Sequence, residues 1–277
     1  GDGLVMTGPG LPRPVPGEAA LPSFHPSFTT NSNLRRLLNG DDFWRPDTLN
    51  GLAEVLRDND RVAILGTGET AASVFLALRE QVPARPRVDI IAPQGIPFSR
   101  GESFWENQIY SDPKRWSGYT KSRRAAIIER TDRGVISPDA LTRMSSDDRL
   151  AFVPGRVKHV SVNQEIEWRN DLLLRLEIDQ DGTTRPSEYA LVINCTGFDP
   201  LWFCRHDWFG DEALNSTKLS REPVLEVVQD RITFDLSLGD WPKLHLPMVA
   251  GPAQGPGFPN LSCLGLLSDR ILSSYVR

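Results

Sequence analysis

Apolar positions fall into short, separated blocks whose spacing predicts alternating strands and helices. The run Arg61-Val62-Ala63-Ile64-Leu65 is apolar at every position after the first, the pattern of a parallel strand covered on both faces. Gly66-Thr67-Gly68 follows without a spacer, and residues 71–80 then place Ala72, Phe75 and Leu76 at helical intervals. After a proline-rich break at 83–86, residues 88–91 supply a second apolar strand. Strand, helix and strand occupy about 30 residues, the size of a βαβ crossover. Upstream, residues 4–6 read as a strand leaving through Thr7-Gly8-Pro9-Gly10, and residues 11–26 carry Pro12, Pro14, Pro16, Pro22 and Pro26, which rules out a helix there. Residues 49–56 space like a short helix.

Residues 95–150 read as loop-rich, with helices at 121–129 and 138–144. A meander follows, with strands at 156–162, 165–168 and 172–178 and an Asp181-Gly182 hairpin turn. The segment 188–195 (EYALVINC) is a further buried-strand pattern ending at Thr196-Gly197. Residues 244–249 read as the last strand, and 261–275 as a closing amphipathic helix. The expected class is α/β, with a Rossmann-like domain at its centre.

Composition narrows the function. The 31 basic and 36 acidic residues of the 277 give a formal charge of −5, which argues against a nucleic-acid partner. Three scattered cysteines (Cys195, Cys204, Cys263) make no disulfide framework and suit a reducing, cytoplasmic setting. No apolar run is long enough to predict a membrane span. The four histidines (His25, His159, His206, His245) lack metal-ligand spacing, and no serine stands in a nucleophile elbow. With no protein nucleophile in view, any hard chemistry belongs to a cofactor.

Gly66-Thr67-Gly68-Glu69-Thr70-Ala71 matches G-x-G-x-x-A in the strand–turn–helix context that gives this motif its meaning. The first glycine permits the turn, the second admits a pyrophosphate, and Ala71 lets helix and strand pack closely. The alternative is a merely structural tight turn. An acidic residue would be expected after the second strand for NAD. The sequence there is Ile91-Ala92-Pro93-Gln94, with Arg100 beyond, which leans towards NADP.

Five ordered segments resemble the flavin-dependent N-hydroxylating monooxygenases of lysine and ornithine, closest in pattern to the mycobactin-type lysine enzymes. They are VAILGTGETAAS (62–73), RGESFWENQIYSDP (100–113), RTDRGVIS (130–137), DPLWF (199–203) and QGPGFPNLSCLGLLSDR (254–270). The resemblance implies an NADPH-binding domain inserted in an FAD-binding domain, with the family's FAD fingerprint lying ahead of every segment present here. The expected division is 1–40 as FAD-domain remnant and linker, 41–198 as NADPH domain, and 199–277 as the C-terminal part of the FAD domain.

The same resemblance implies the site. Gly66, Thr67, Gly68, Glu69, Thr70 and Ala71 would hold NADPH, with Thr196 and Gly197 beside it, and Arg100 is a candidate for its 2′-phosphate. Asn107 would lie between substrate and nicotinamide ribose, and Asp132 would meet the substrate. Asn260, Leu261 and Ser262 would form a loop over the flavin, with Ser262 near the substrate. The implied activity is NADPH-, FAD- and oxygen-dependent N-hydroxylation of the L-lysine side chain for a siderophore. An ornithine or diamine hydroxylase, or a non-catalytic NADP(H)-binding module needing a partner chain for FAD, remain open alternatives. A homo-oligomer, or a partner supplying the FAD segment, is equally open.

Overall fold

The computed structural model describes residues 3–21, 36–101, 103–131, 134–163, 173–239, 242–259 and 263–276. The sequence expectation of a strand at 165–168 lies outside these residues. The chain divides into two units: Gly1–Leu11, Gly101–Arg133 and Phe198–Arg277 form the first, and Pro12–Arg100 with Gly134–Gly197 the second.

The second unit is built on a five-stranded parallel sheet in the order Leu37–Asn39, Leu191–Asn194, Arg61–Leu65, Arg87–Ala92, Leu150–Pro154. Alternation along these strands feeds two cores. Val62, Ile64, Val88, Ile90, Leu191 and Ile193 face a cluster containing Ala71, Ala72, Phe75 and Leu78 of the helix Glu69–Gln81. Ala63, Leu65, Ile91 and Val192 face a cluster with Val160, Leu174, Leu176 and Ile178 of an antiparallel meander. The meander strands are Arg156–Asn163, Leu173–Gln180 and Thr183–Tyr189.

A polar group enters that apolar layer at Asp89. The Asp89 carboxylate accepts from the Tyr189 hydroxyl at 2.9 Å and from Arg61 Nη2 at 2.5 Å. Burial, reinforced by the adjacent carboxylate, pushes the Tyr189 phenol well above its usual range, so it stays a donor.

The single strand expected at 188–195 is two. Thr183–Tyr189 closes the meander, the chain bends at Ala190, and Leu191–Asn194 enters the parallel sheet. The strand expected at 244–249 ends at His245. Pro247, which has no N–H to donate, starts a 3₁₀ turn over Pro247–Val249. Residues 95–150 are less loop-like than expected. Helices span Phe104–Ser111 and Pro113–Ser117, the first carrying a capping box between Ser103 and Glu106, the second capped by Asp112.

The first unit contains a three-stranded sheet in which Gly3–Val5 pairs in parallel with Lys243–His245, itself antiparallel to Ser237–Leu238. Asp235 anchors it. Its carboxylate accepts from Lys243 Nζ, from the Ser274 hydroxyl, from Thr233 at 2.5 Å and from Ser237 at 2.8 Å. Burial opposes the charge, yet these four donors together hold the carboxyl far below its ordinary range. Fully buried His245 bonds the Asp235 carbonyl through Nδ1 at 2.8 Å and the Tyr275 hydroxyl through Nε2 at 2.7 Å.

The division differs from the expected 1–40, 41–198 and 199–277. Residues 101–133 belong with the first unit because their contacts lie there: buried Trp116 donates Nε1–H to the Pro252 carbonyl at 3.1 Å, and Arg124 Nη1 donates to the Ala253 carbonyl at 3.1 Å. Residues from Pro12 onward belong with the second unit. There the Val160 N–H bonds the Pro16 carbonyl at 2.8 Å, and Val15 is buried in the meander core.

Candidate functional site

The candidate site lies where the strand order of the parallel sheet reverses. From the strand Arg61–Leu65 the chain crosses to Arg87–Ala92 on one side, while Leu191–Asn194 flanks it on the other. The C-terminal ends of strands at such a switch leave a crevice suited to a nucleotide.

Gly66 makes the turn. Its φ is +102°, and a Cβ there would sit 2.6 Å from the Cys195 carbonyl oxygen. The Cys195 N–H in turn bonds the Leu65 carbonyl at 2.9 Å, so the ends of the two central strands are locked together. Gly68 has ordinary extended backbone, and a Cβ there would meet nothing within 4 Å. It is the N-cap of the helix Glu69–Gln81 and supplies no side-chain cap. Ala71 and Ala72 give their N–H groups to the Gly68 carbonyl at 2.9 and 3.2 Å, so the N–H groups of Glu69 and Thr70 are the ones at the uncapped helix start, where the dipole favours an anion. A pyrophosphate fits this cradle. Ala71 is completely buried against the sheet, as the third position of the motif requires.

The Glu69 side chain is engaged by protein. Its carboxylate accepts from the Ser137 N–H at 2.8 Å and the Ser137 hydroxyl at 2.9 Å, fastening the start of the helix Pro138–Met144 to the fingerprint turn. The expected cofactor role of Glu69 would therefore fall to its backbone N–H at the helix start, not to its carboxylate.

Across the crevice, Asn194 Oδ1 accepts from the Thr196 N–H at 3.2 Å and hydroxyl at 2.7 Å, while its Nδ2 donates to the Arg13 carbonyl at 2.7 Å and Asn39 Oδ1 at 3.0 Å. Gly197, at φ +95°, accepts the Arg13 N–H at 3.0 Å. Asn194, only 4% exposed, shapes the Thr196-Gly197 turn; sequence reasoning missed it because an asparagine closing a strand has no distinguishing pattern. Burial pushes the Cys195 thiol up to about 12, so it is a neutral wall and not a nucleophile.

Arg100 is tied in through its backbone. Its N–H bonds the Ile136 carbonyl at 2.7 Å, at the end of the two-stranded ribbon Phe98–Ser99 and Val135–Ile136. Ile136 directly precedes Ser137, the partner of Glu69. Fingerprint, Thr196-Gly197 and the Arg100 backbone are thus assembled in one unit. Asn107 belongs to the other, exposed on the helix Phe104–Ser111. Asp132, Asn260, Leu261 and Ser262 lie outside the described residues. Among the described residues no helix is long and apolar enough to cross a membrane.

No family model matches the chain. Curated relatives do. The chain is 37% identical over 278 residues to L-lysine N6-monooxygenase MbtG of Mycolicibacterium paratuberculosis, covering 99% of this chain and 59% of the relative. It is 38% identical to the MbtG of Mycobacterium tuberculosis, with the same coverage. Among solved structures, the lysine monooxygenase NbtG of Nocardia farcinica superposes with a TM-score of 0.67 at 29% identity, over 98% of this chain and 60% of that one. The ornithine N-hydroxylase KtzI of Kutzneria also reaches 0.67, at 17% identity over 98% of this chain and 63% of that one, a likeness of fold. The chain therefore spans somewhat less than two thirds of the length of these proteins. The chain is thus similar, over 99% of its own length and 59% of theirs, to proteins named L-lysine N6-monooxygenase, and it shares the fold of the lysine monooxygenase NbtG.

Proposed function

We propose that this chain is the NADPH-binding and C-terminal portion of a cytoplasmic L-lysine N6-monooxygenase, hydroxylating the side-chain amine for a mycobactin-like siderophore. The observation that carries the reading is the uncapped N-terminus of the helix Glu69–Gln81 above Gly66 and Gly68, in a chain 37–38% identical to proteins named for that activity.

When bound, NADPH and FAD supply reducing equivalents and activate molecular oxygen. The chain's own residues act by holding and orienting. The Glu69 and Thr70 N–H groups at the helix start would hold the pyrophosphate, and Thr196-Gly197, shaped by Asn194, would line the opposite lip. Asn107, Asp132 and Ser262 are assigned to substrate, and Asn260, Leu261 and Ser262 to the flavin, on the resemblance of their segments. The lysine amine, with an ordinary pKa of about 10.4, must be neutral to act as nucleophile, and a water-poor pocket favours that form. For FAD the fit is partial: the sequence holds one G-x-G-x-x-A fingerprint, and it is the one at Gly66.

The test uses the purified chain with FAD, NADPH, oxygen and either lysine or ornithine, assayed for a hydroxylamine product. Product from lysine in preference to ornithine is expected if FAD is retained. The coverage of 59% favours one second reading, an NADP(H)-binding module that works with FAD held on a further stretch of polypeptide. NADP⁺ binding without product would support that reading, and absence of dinucleotide binding would defeat both.

A further inference from the structure

A cavity of about 370 Å³ opens one strand away from the fingerprint, at the C-terminal ends of Arg87–Ala92 and Leu150–Pro154. Its walls include Pro93, Gln94, Pro154, Arg156, Asp179 and Asp181. The position has a physical meaning in a sheet of this kind. A dinucleotide whose pyrophosphate rests on the fingerprint helix carries its adenosine ribose over the end of the neighbouring strand, here at Ala92.

The backbone there is fixed closely. The Ala92 carbonyl accepts from the Gly95 N–H at 3.0 Å and the Gly155 N–H at 2.9 Å. Gly155 has φ +141°, and a Cβ on it would lie 2.5 Å from Ile178 Cγ2 and 2.8 Å from the Asp179 carbonyl oxygen. The chain therefore turns sharply at Gly155, and Arg156 opens the first meander strand in register with Asp179.

The charges sort as follows. No carboxylate follows the second strand at Ala92-Pro93-Gln94, so the strand end itself offers no acceptor to a ribose 2′-hydroxyl; the two carboxylates in the wall, Asp179 and Asp181, come from the meander hairpin. Asp179 is committed to Lys158 Nζ at 3.1 Å and to the Gly182 N–H at 2.9 Å. Asp181 is exposed at the tip of the hairpin turn. Arg156 is the guanidinium in the cavity wall, whereas Arg100 sits on the Phe98–Ser99 ribbon and is absent from that wall.

We propose that Arg156 is the residue that selects a 2′-phosphorylated nucleotide, in place of Arg100. This rests on the dinucleotide reading of the Gly66 crevice, and a guanidinium provides the forked donor that a phosphate monoester accepts.

The experiment titrates the chain as it stands with 2′,5′-ADP and with ADP, following binding by calorimetry. Wild type is expected to favour 2′,5′-ADP by about ten-fold or more. Arg156→Gln should erase most of that preference and leave ADP affinity within about two-fold, Arg156→Lys should restore part of it, and Arg100→Gln should leave it intact. Unchanged melting temperatures would exclude misfolding as the cause. Retained preference in Arg156→Gln, or its loss in Arg100→Gln, would overturn the proposal while the crevice reading survives. Equal binding of both nucleotides by wild type would overturn it in the same way. Binding of neither would overturn the crevice reading, and this proposal with it.

Discussion

Glu69 and Ser137 are joined by two hydrogen bonds, one from the Ser137 N–H at 2.8 Å and one from its hydroxyl at 2.9 Å. The pair is a double cap: Glu69 stands in the first turn of one helix while Ser137 is the N-cap of another. Glu69→Ala should cost about 1–2 kcal/mol in chemical denaturation, because two donors at a helix start lose their acceptor. Dinucleotide affinity should fall less than for a change at Gly68. A reversed order would mean that Glu69 touches the ligand.

The two fingerprint glycines should separate folding from binding. Gly66→Ala forces a Cβ into positive φ and towards the Cys195 carbonyl, so it should lower both melting temperature and nucleotide binding. Gly68→Ala has free space and permissive backbone, so the fold should melt normally. Its methyl group would stand where the phosphate must approach, and NADP⁺ affinity should drop about ten-fold or more. Calorimetry and thermal melting on the same samples check both outcomes.

Asp235 should set part of the acid limit of the first unit. Its folded pKa lies below the unfolded value of 3.8, so its contribution is present above about pH 4 and is lost as pH falls further. Asp235→Asn should remove roughly 2–3 kcal/mol near neutrality, where Lys243 loses its counter-charge. It should also flatten the decline in stability below pH 4. An unchanged acid profile would show that the titration belongs elsewhere.

Tyr189→Phe would leave the Asp89 carboxylate with Arg61 as its one remaining side-chain donor among the described residues. A loss of about 1–2 kcal/mol is expected, measured by denaturant unfolding. Since Tyr189 stands where the meander meets the parallel sheet, exchange of amide protons should speed up along Leu191–Asn194 as well.

The parts most legible in the sequence were those where a local pattern and the tertiary structure agree. The strand Arg61–Leu65 and the helix Pro138–Met144 stand at the expected limits, and the Asp181-Gly182 turn is closed by a bond from the Gly182 N–H to Asp179. Structure departed where the deciding contact is remote. Nothing in EYALVINC marks the bend at Ala190, because it depends on two sheets meeting there. The allocation of residues 101–133 turned on Trp116 and Arg124 reaching carbonyls about 130 residues later. The glycine motif was readable because its turn chemistry is local. Asn194 and Arg156 were not, since their importance comes from neighbours brought in by the sheet.

The contact between Gly66 and Cys195 bears on how the protein comes into being. The crevice is closed by a strand about 130 residues downstream of its glycine turn. During synthesis, therefore, the fingerprint emerges long before it has a second wall. On the dinucleotide reading of this crevice, binding competence would arrive late, with the extrusion of residues 191–197, as a property of the finished sheet.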